Sequence, residues 1–299
     1  TCHSIATPIF MSKNQNTISG FLNLYKTSGP TSMDVLRQVK KLTGQKKGVG
    51  HGGTLDPLAE GVLPICFGQA TRLMEYLVDS SKRYYMEVLL GVTTSTYDGE
   101  GEVVKRGDPS GLDRRVVEET IESFRGTIDQ VPPMYSAIKV DGQRLYKLAR
   151  AGIEIEREPR KVEISALEIV EYAPPSLILD VQSGRGAYMR SLGHDLGEAL
   201  GCGGYLKSLV RLSSGPFQAE DAVRLDGLQE AAGRGESWAE HLKPPDFVLL
   251  QLRGVTVGKA AERYLRNGQS VSLGAHVDAY VPHMERCRAY SEEGCFLGV

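Results

Sequence analysis

Apolar and polar positions along this chain follow two periods, and they mark out most of its elements. Phe21-Leu22-Asn23-Leu24-Tyr25 reads as a strand. Gly29-Pro30 turns the chain. Thr31 or Ser32 then stands where a cap is needed for a helix that turns Val35, Leu36, Val39 and Leu42 inward and closes at Gly44. Residues 61–68 are apolar enough to be buried, and Thr71 to Leu77 reads as a short helix. The clearest strand runs from Ser81 to Leu90, where a period of two puts Tyr84, Met86, Val88 and Leu90 on one face. Tyr84 on that face is either a packing residue or a stacking platform for a flat ligand.

Thr93 to Glu102 is polar and turn-rich. Asp113 to Phe124 fits an amphipathic helix through Val117, Ile121 and Phe124, stopped by Gly126. Val131 to Ala137 is extended and leads into a hairpin with an Asp141-Gly142 turn, followed by a short helix from Leu145 to Arg150. Val162 to Tyr172 and Leu177 to Ser183 alternate as paired strands joined through Pro174-Pro175. Gly184 to Arg190 carries the chain into a helix that runs to about Leu200 with Met189, Leu192, Leu196 and Ala199 on one face. Tyr188 and Arg190 therefore sit at a strand-to-helix junction, where a rigid scaffold holds side chains in place. After the glycine break at 201–204, Tyr205 to Leu212 continues with Leu209 pointing inward. Asp221 to Glu236 reads as helical and 233–245 as a linker. Beyond Asp246 the pattern changes to short strands at 255–257, 268–271, 279–281 and 295–299. The expected fold class is mixed α/β (α+β): a tail over 1–16, expected to be disordered, a large domain over 17–245, and a small β-rich domain over 246–299.

Composition narrows this picture. The chain has 299 residues, 41% hydrophobic and 24% charged, values of a soluble globular protein. The apolar stretch from Leu63 to Leu77 is broken by Gly68, Gln69, Arg72 and Glu75, so it does not span a bilayer. Thr1 to Gln15 lacks the apolar core and basic start of a secretory signal, and Met11 is a candidate start. The five cysteines are scattered, odd in number and without a CxxC pair, which points to reduced thiols in the cytoplasm rather than a disulfide scaffold. Cys287 and Cys295 with His276 and His283 lack zinc-finger spacing, so no metal is expected. The net charge of -2 does not mark a nucleic-acid binder, yet basic residues cluster. Lys40, Lys41, Lys46 and Lys47 form one group, residues from Arg144 to Lys161 a second, and Arg185, Arg190, Lys207 and Arg211 a third. Such a patchy surface suits RNA; each run is equally a solvated face.

The candidate chemistry lies between Lys46 and Gly61, where five glycines surround His51 and Asp56. Glycine held in place costs backbone entropy, so this density implies a tight turn or the close approach of a ligand. Pro57 biases Asp56 away from helical backbone. The result is a short carboxylate on a rigid loop, or a surface turn in which Asp56 bonds its own backbone. No Gly-Lys-Ser/Thr follows, so this is not a P-loop, and there is no Rossmann fingerprint.

His51-Gly52-Gly53-Thr54-Leu55-Asp56-Pro57 with Gly61 downstream resembles the catalytic loop of the TruB family, tRNA pseudouridine synthases that isomerise a uridine in the T-loop. The resemblance runs from about Gly20 to about Phe217. It includes an aromatic and an arginine matched by Tyr188 and Arg190, with Ala187 where the family often has Thr. Asn267-Gly268 and the closing Gly294-Cys295-Phe296-Leu297-Gly298 resemble a PUA domain, a small RNA-binding β-barrel; a generic small β-module is the competing reading.

The resemblance implies a mostly antiparallel sheet flanked by helices. It also implies a cofactor-independent reaction on tRNA, gripped by its T-arm, in a monomer without an obligate protein partner. Asp56 would be the nucleophile or base, Arg190 would hold its carboxylate if the fold brings them together, and Tyr84 would stack on the flipped base. His51 would contact the RNA or fill the space left by the flipped nucleotide, and Tyr188 and Leu209 would close the pocket. Two rivals remain on sequence alone. One is a non-catalytic tRNA-binding or folding protein on the same scaffold. The other is a hydrolase using Asp56 and His51 on a small substrate.

Overall fold

The computed structural model describes residues 18–140, 142–269, 271 and 286–299. The tail over 1–16, Asp141, Ser270 and the strand at 279–281 lie outside the described residues, as do His276 and His283.

One large mixed sheet organises the chain. Its strands lie in the order Val223–Arg224, Gly20–Lys26, Glu60–Phe67, Gly204–Ser214, Lys82–Leu90, Ser176–Ser183, Arg160–Ala173 and Gly126–Gln130. Phe217–Gln218, Leu242–Lys243 and Val49–His51 pair at the side of this path. Neighbours are antiparallel except where Val223–Arg224 meets Gly20–Lys26 and where Gly204–Ser214 meets Glu60–Phe67. Lys82–Leu90 keeps the expected alternation: Tyr84, Met86, Val88 and Leu90 are all buried. The helix Met189–Ala199 covers this face. A Cβ built on its Gly193 would lie 3.3 Å from Val88 and 3.6 Å from Met86, so the helix and the sheet approach closely.

Local signals set the ends of elements as expected. Thr31 and Asp34 close a capping box on the helix Ser32–Thr43, and Gly44 ends it in the left-handed region. Asp113 caps Arg114–Glu122. The expected helix over Thr71–Leu77 is split, with a tight 3-10 turn at Gly68–Leu73 and an α-helix at Met74–Asp79.

The expected linker over 233–245 is not a linker. Leu242 and Lys243 pair antiparallel with Leu22 and Phe21, and Val223–Arg224 pairs parallel with Leu24 and Tyr25. The helix between them is correspondingly shorter, Leu225–Gly233. These two-residue strands are too short to show periodicity, so only the edge they complete reveals them. Beyond them, Arg253–Val257, Cys287–Ser291 and Phe296–Gly298 form a separate three-stranded sheet over a small core of Val255, Val257, Ala261, Cys287 and Ala289. No closed barrel is formed among the described residues. Nor is any helix among them long and apolar enough to cross a membrane.

Candidate active site

The glycine loop connects two paired strands. Val49, Gly50 and His51 pair with Phe67, Cys66 and Ile65, and the intervening residues form the loop that carries Asp56. Three side or main chains clamp it from below. The Ser32 hydroxyl donates to the Leu55 carbonyl at 2.9 Å and accepts from the Leu55 amide at 2.8 Å. Gly29 N–H donates to the Pro57 carbonyl at 2.9 Å. The buried Lys26 ammonium donates to the carbonyls of Thr27, Pro57 and Ala59 at 3.1, 3.0 and 2.6 Å. Burial lowers the Lys26 pKa to about 8, against the opposing attraction of Asp56 and Glu60. The backbone on both sides of Asp56 is thus fixed while its carboxylate stays 34% exposed.

Arg190 enters from the first turn of Met189–Ala199 and is 4% exposed. Its Nε donates to Asp56 Oδ2 at 2.8 Å and its Nη2 to Asp56 Oδ1 at 3.2 Å, the two-pronged arrangement a guanidinium makes with a carboxylate. Nη2 also reaches the Tyr135 carbonyl at 2.7 Å and Nη1 the Thr96 carbonyl at 3.4 Å. A second carboxylate, the buried Asp98, lies 3.7 Å from Arg190 Nε. Asp98 is itself held by the Thr96 hydroxyl and by Glu100 N–H at 3.1 Å. A buried guanidinium is best tolerated when it is both paired and hydrogen-bonded, and Arg190 has both. The Asp56 carboxylate bonds Arg190 rather than its own loop, which removes the surface-turn reading.

Arg211 was expected on a basic surface, but it is 2% exposed and lies beneath the loop. Its Nε donates to the Val62 carbonyl at 2.7 Å and its Nη2 to the Gly53 carbonyl at 3.1 Å. Tyr84 faces it in register across the two strands, and the two side chains interact. Arg211 therefore links Tyr84 to the loop three residues ahead of Asp56. Of the rest of that basic group, Arg190 is buried as well, while Arg185 and Lys207 stay on the surface, paired with Asp79 and Glu87. The second cluster is more available. Two of its residues, Arg144 and Lys147, line an open cavity of about 460 Å³ together with Lys139 and Tyr146.

The remaining expected residues are spread through the same layer. Tyr188 precedes Arg190, its main chain held on both sides by the buried Gln130 side chain at 2.8 and 3.1 Å. Burial raises its pKa, and Asp56 pushes in the same direction. Leu209 is buried opposite Met86, in the core that also contains Tyr84. His51 is the outlier. Its Nδ1 is buried without a protein partner, and burial, with Arg211 nearby, lowers its pKa. Among the described residues no ion pair joins His51 to Asp56, so the dyad that the hydrolase reading needs is not formed. Lys26, Asp98 and Arg211 were missed by sequence reasoning.

Among the described residues no cluster of His, Cys, Asp and Glu could hold a metal ion. The chain matches known proteins along most of its length. Residues 40–189 match the TruB family pseudouridylate synthase N-terminal domain, and residues 190–250 match the tRNA pseudouridylate synthase B C-terminal domain. The tRNA pseudouridine synthase B of Clostridium acetobutylicum is 42% identical over 282 residues, covering 94% of this chain and 95% of that protein. The same enzyme of Symbiobacterium thermophilum is 48% identical over 252 residues, covering 83% and 82%. Among solved structures, a Cbf5–Nop10–Gar1 complex superposes with a TM-score of 0.71 at 26% identity, covering 93% of this chain and 76% of that chain. The family matches and the fold together define a pseudouridylate synthase. The chain belongs to the TruB family.

Proposed function

We propose that this protein converts one uridine in the T-loop of tRNA to pseudouridine, with Asp56 acting directly on the flipped-out nucleotide. The observation that carries this reading is the Arg190–Asp56 fork: a partly exposed carboxylate aimed by a buried guanidinium. Membership of the TruB family supplies the reaction and the tRNA substrate.

The reaction breaks the N1–C1′ bond, turns the uracil and joins C1′ to C5. The C5 hydrogen leaves as a proton and N1 gains one, so the product is an isomer and no redox cofactor takes part. Asp56 serves as the nucleophile or base at the sugar or the ring. Arg190 keeps its carboxylate in one direction through the cycle. Extruding the uridine costs a few kcal/mol of lost stacking. Tyr84 returns part of that by stacking on the base, at about 1–3 kcal/mol for such a contact. Tyr188 and Leu209 close the pocket, and His51 meets the RNA beside the loop.

The cavity lined by Lys139, Arg144 and Lys147 suits T-arm phosphates. Residues 17–245 would carry the chemistry and 246–299 a PUA-like RNA-binding module, which the separate three-stranded sheet and its own core favour. The enzyme works as a monomer in the cytoplasm. The test is to treat an unmodified tRNA transcript and map pseudouridine at nucleotide resolution. A single modified T-loop uridine is expected. Modification only outside the T-loop would overturn the assignment of the target.

A further inference from the structure

Tyr97 is the one non-glycine residue among the described residues with a positive φ, +64°. An aromatic side chain in this region is disfavoured, and such a residue persists only where its surroundings hold it. Here the holder is visible. The Tyr97 ring lies flat on the His194 ring, with centroids 3.8 Å apart and planes 7° from parallel. The Tyr97 carbonyl accepts from Leu206 N–H at 2.9 Å, and Asp98 bridges to Leu206 on the strand Gly204–Ser214. His194 stands one turn after Arg190 on the helix Met189–Ala199, so both side chains leave the same face.

Both residues flanking Tyr97 reach Arg190. Thr96 gives its carbonyl to Nη1 at 3.4 Å, and Asp98 presents its carboxylate 3.7 Å from Nε. The loop and the helix are therefore joined at two adjacent points, one electrostatic and one a ring stack.

We propose that the Tyr97–His194 stack is a positioning element for the reaction. By holding Tyr97 in the left-handed conformation, it keeps Thr96 and Asp98 against Arg190, and Arg190 in turn keeps the Asp56 carboxylate aimed. Tyr97 and His194 act through Arg190, not on the uridine. The stack requires a flat ring at 194 but not a hydrogen bond from Nδ1, which is buried without a protein partner. The inference rests on the reading of Asp56 and Arg190 given above.

The test is single-turnover pseudouridine formation on tRNA transcript, with tRNA affinity measured separately. The variants are His194→Ala, His194→Leu and His194→Phe, with Asp56→Asn alongside. His194→Ala and His194→Leu are expected to slow the step by roughly 10- to 100-fold, with affinity within about twofold of the parent, while His194→Phe, which restores a ring, recovers most of the rate. If His194→Ala fails to give a cooperative melt, the bulk-matched His194→Leu decides. Parental rates in the Leu variant would overturn the proposal. So would a Phe variant as slow as Leu, or a loss confined to tRNA affinity. Activity surviving in Asp56→Asn would instead overturn the underlying reading of the site, so the two failures are distinguishable.

Discussion

The Lys26 ammonium lies 3.0 Å from the carbonyl oxygen of Pro57, the residue that follows Asp56. A buried lysine thus fixes the backbone of the loop that presents the carboxylate, and it does so with its proton on.

This has a consequence for stability. The folded pKa of Lys26 is lowered to about 8 from an ordinary 10.5, with burial the largest cause. Between about pH 8 and 10.5 the unfolded chain therefore binds more protons than the folded one, so stability contributed by this group rises with pH across that window. Lys82, also lowered to about 8 by burial, adds a slope of the same sign. Lys26→Met removes the ammonium's hydrogen bonds to the Thr27, Pro57 and Ala59 carbonyls, of which Pro57 keeps the Gly29 N–H, and is expected to cost about 2 kcal/mol at pH 7. It should also flatten, without abolishing, the rise in stability above pH 8. Urea titrations of parent and variant from pH 7 to 10 check both; an unchanged slope would show that Lys26 does not titrate as described.

Arg190→Lys keeps the charge and loses the fork. An ammonium cannot meet both Asp56 oxygens while also serving the Tyr135 and Thr96 carbonyls. The expected outcome is a fall in single-turnover rate of about 100-fold and a loss of about 3 kcal/mol in stability, because Asp98 stays buried with a poorer partner. Rate assays and chemical denaturation measure the two separately.

Gly61 stands where two strands run parallel, paired with Arg211 at φ +102°. A Cβ there would lie 2.2 Å from the Arg211 carbonyl oxygen. Gly61→Ala is expected to destabilise the protein by about 3 kcal/mol or more, since both the backbone conformation and the space forbid it. Gly111, with nothing within 4 Å of a built Cβ, is the control, and Gly111→Ala should change stability by less than about 0.5 kcal/mol. Thermal melts of the two variants make the comparison.

How much of this was legible beforehand depended on how local each signal was. The glycine loop, the Tyr84 face of its strand and the Arg190 junction are written in adjacent residues, and the structure holds them where the pattern placed them. The Asp56–Arg190 contact joins residues 134 positions apart, which no period reports. Asp98 looked like one more polar residue in a turn-rich segment, because burial of that turn comes from the helix and strand packed on it. Arg211 read as one of a basic surface group and Lys26 drew no reading; only the loop carbonyls delivered by distant chain make their burial tolerable. The two-residue strands at Val223–Arg224 and Leu242–Lys243 carry no alternation at all and exist through the edge they pair with.

The most direct test of the central claim compares the parent and Asp56→Asn on an unmodified tRNA transcript, measuring pseudouridine at nucleotide resolution and tRNA binding together. The substitution removes the charge and keeps the shape, and Arg190 retains Asp98 and two carbonyls as partners. The expected result is one pseudouridine in the T-loop for the parent and none for the variant, with tRNA affinity nearly unchanged. Pseudouridine formed at the parental rate by Asp56→Asn would contradict the assignment of Asp56 as the group that acts on the nucleotide.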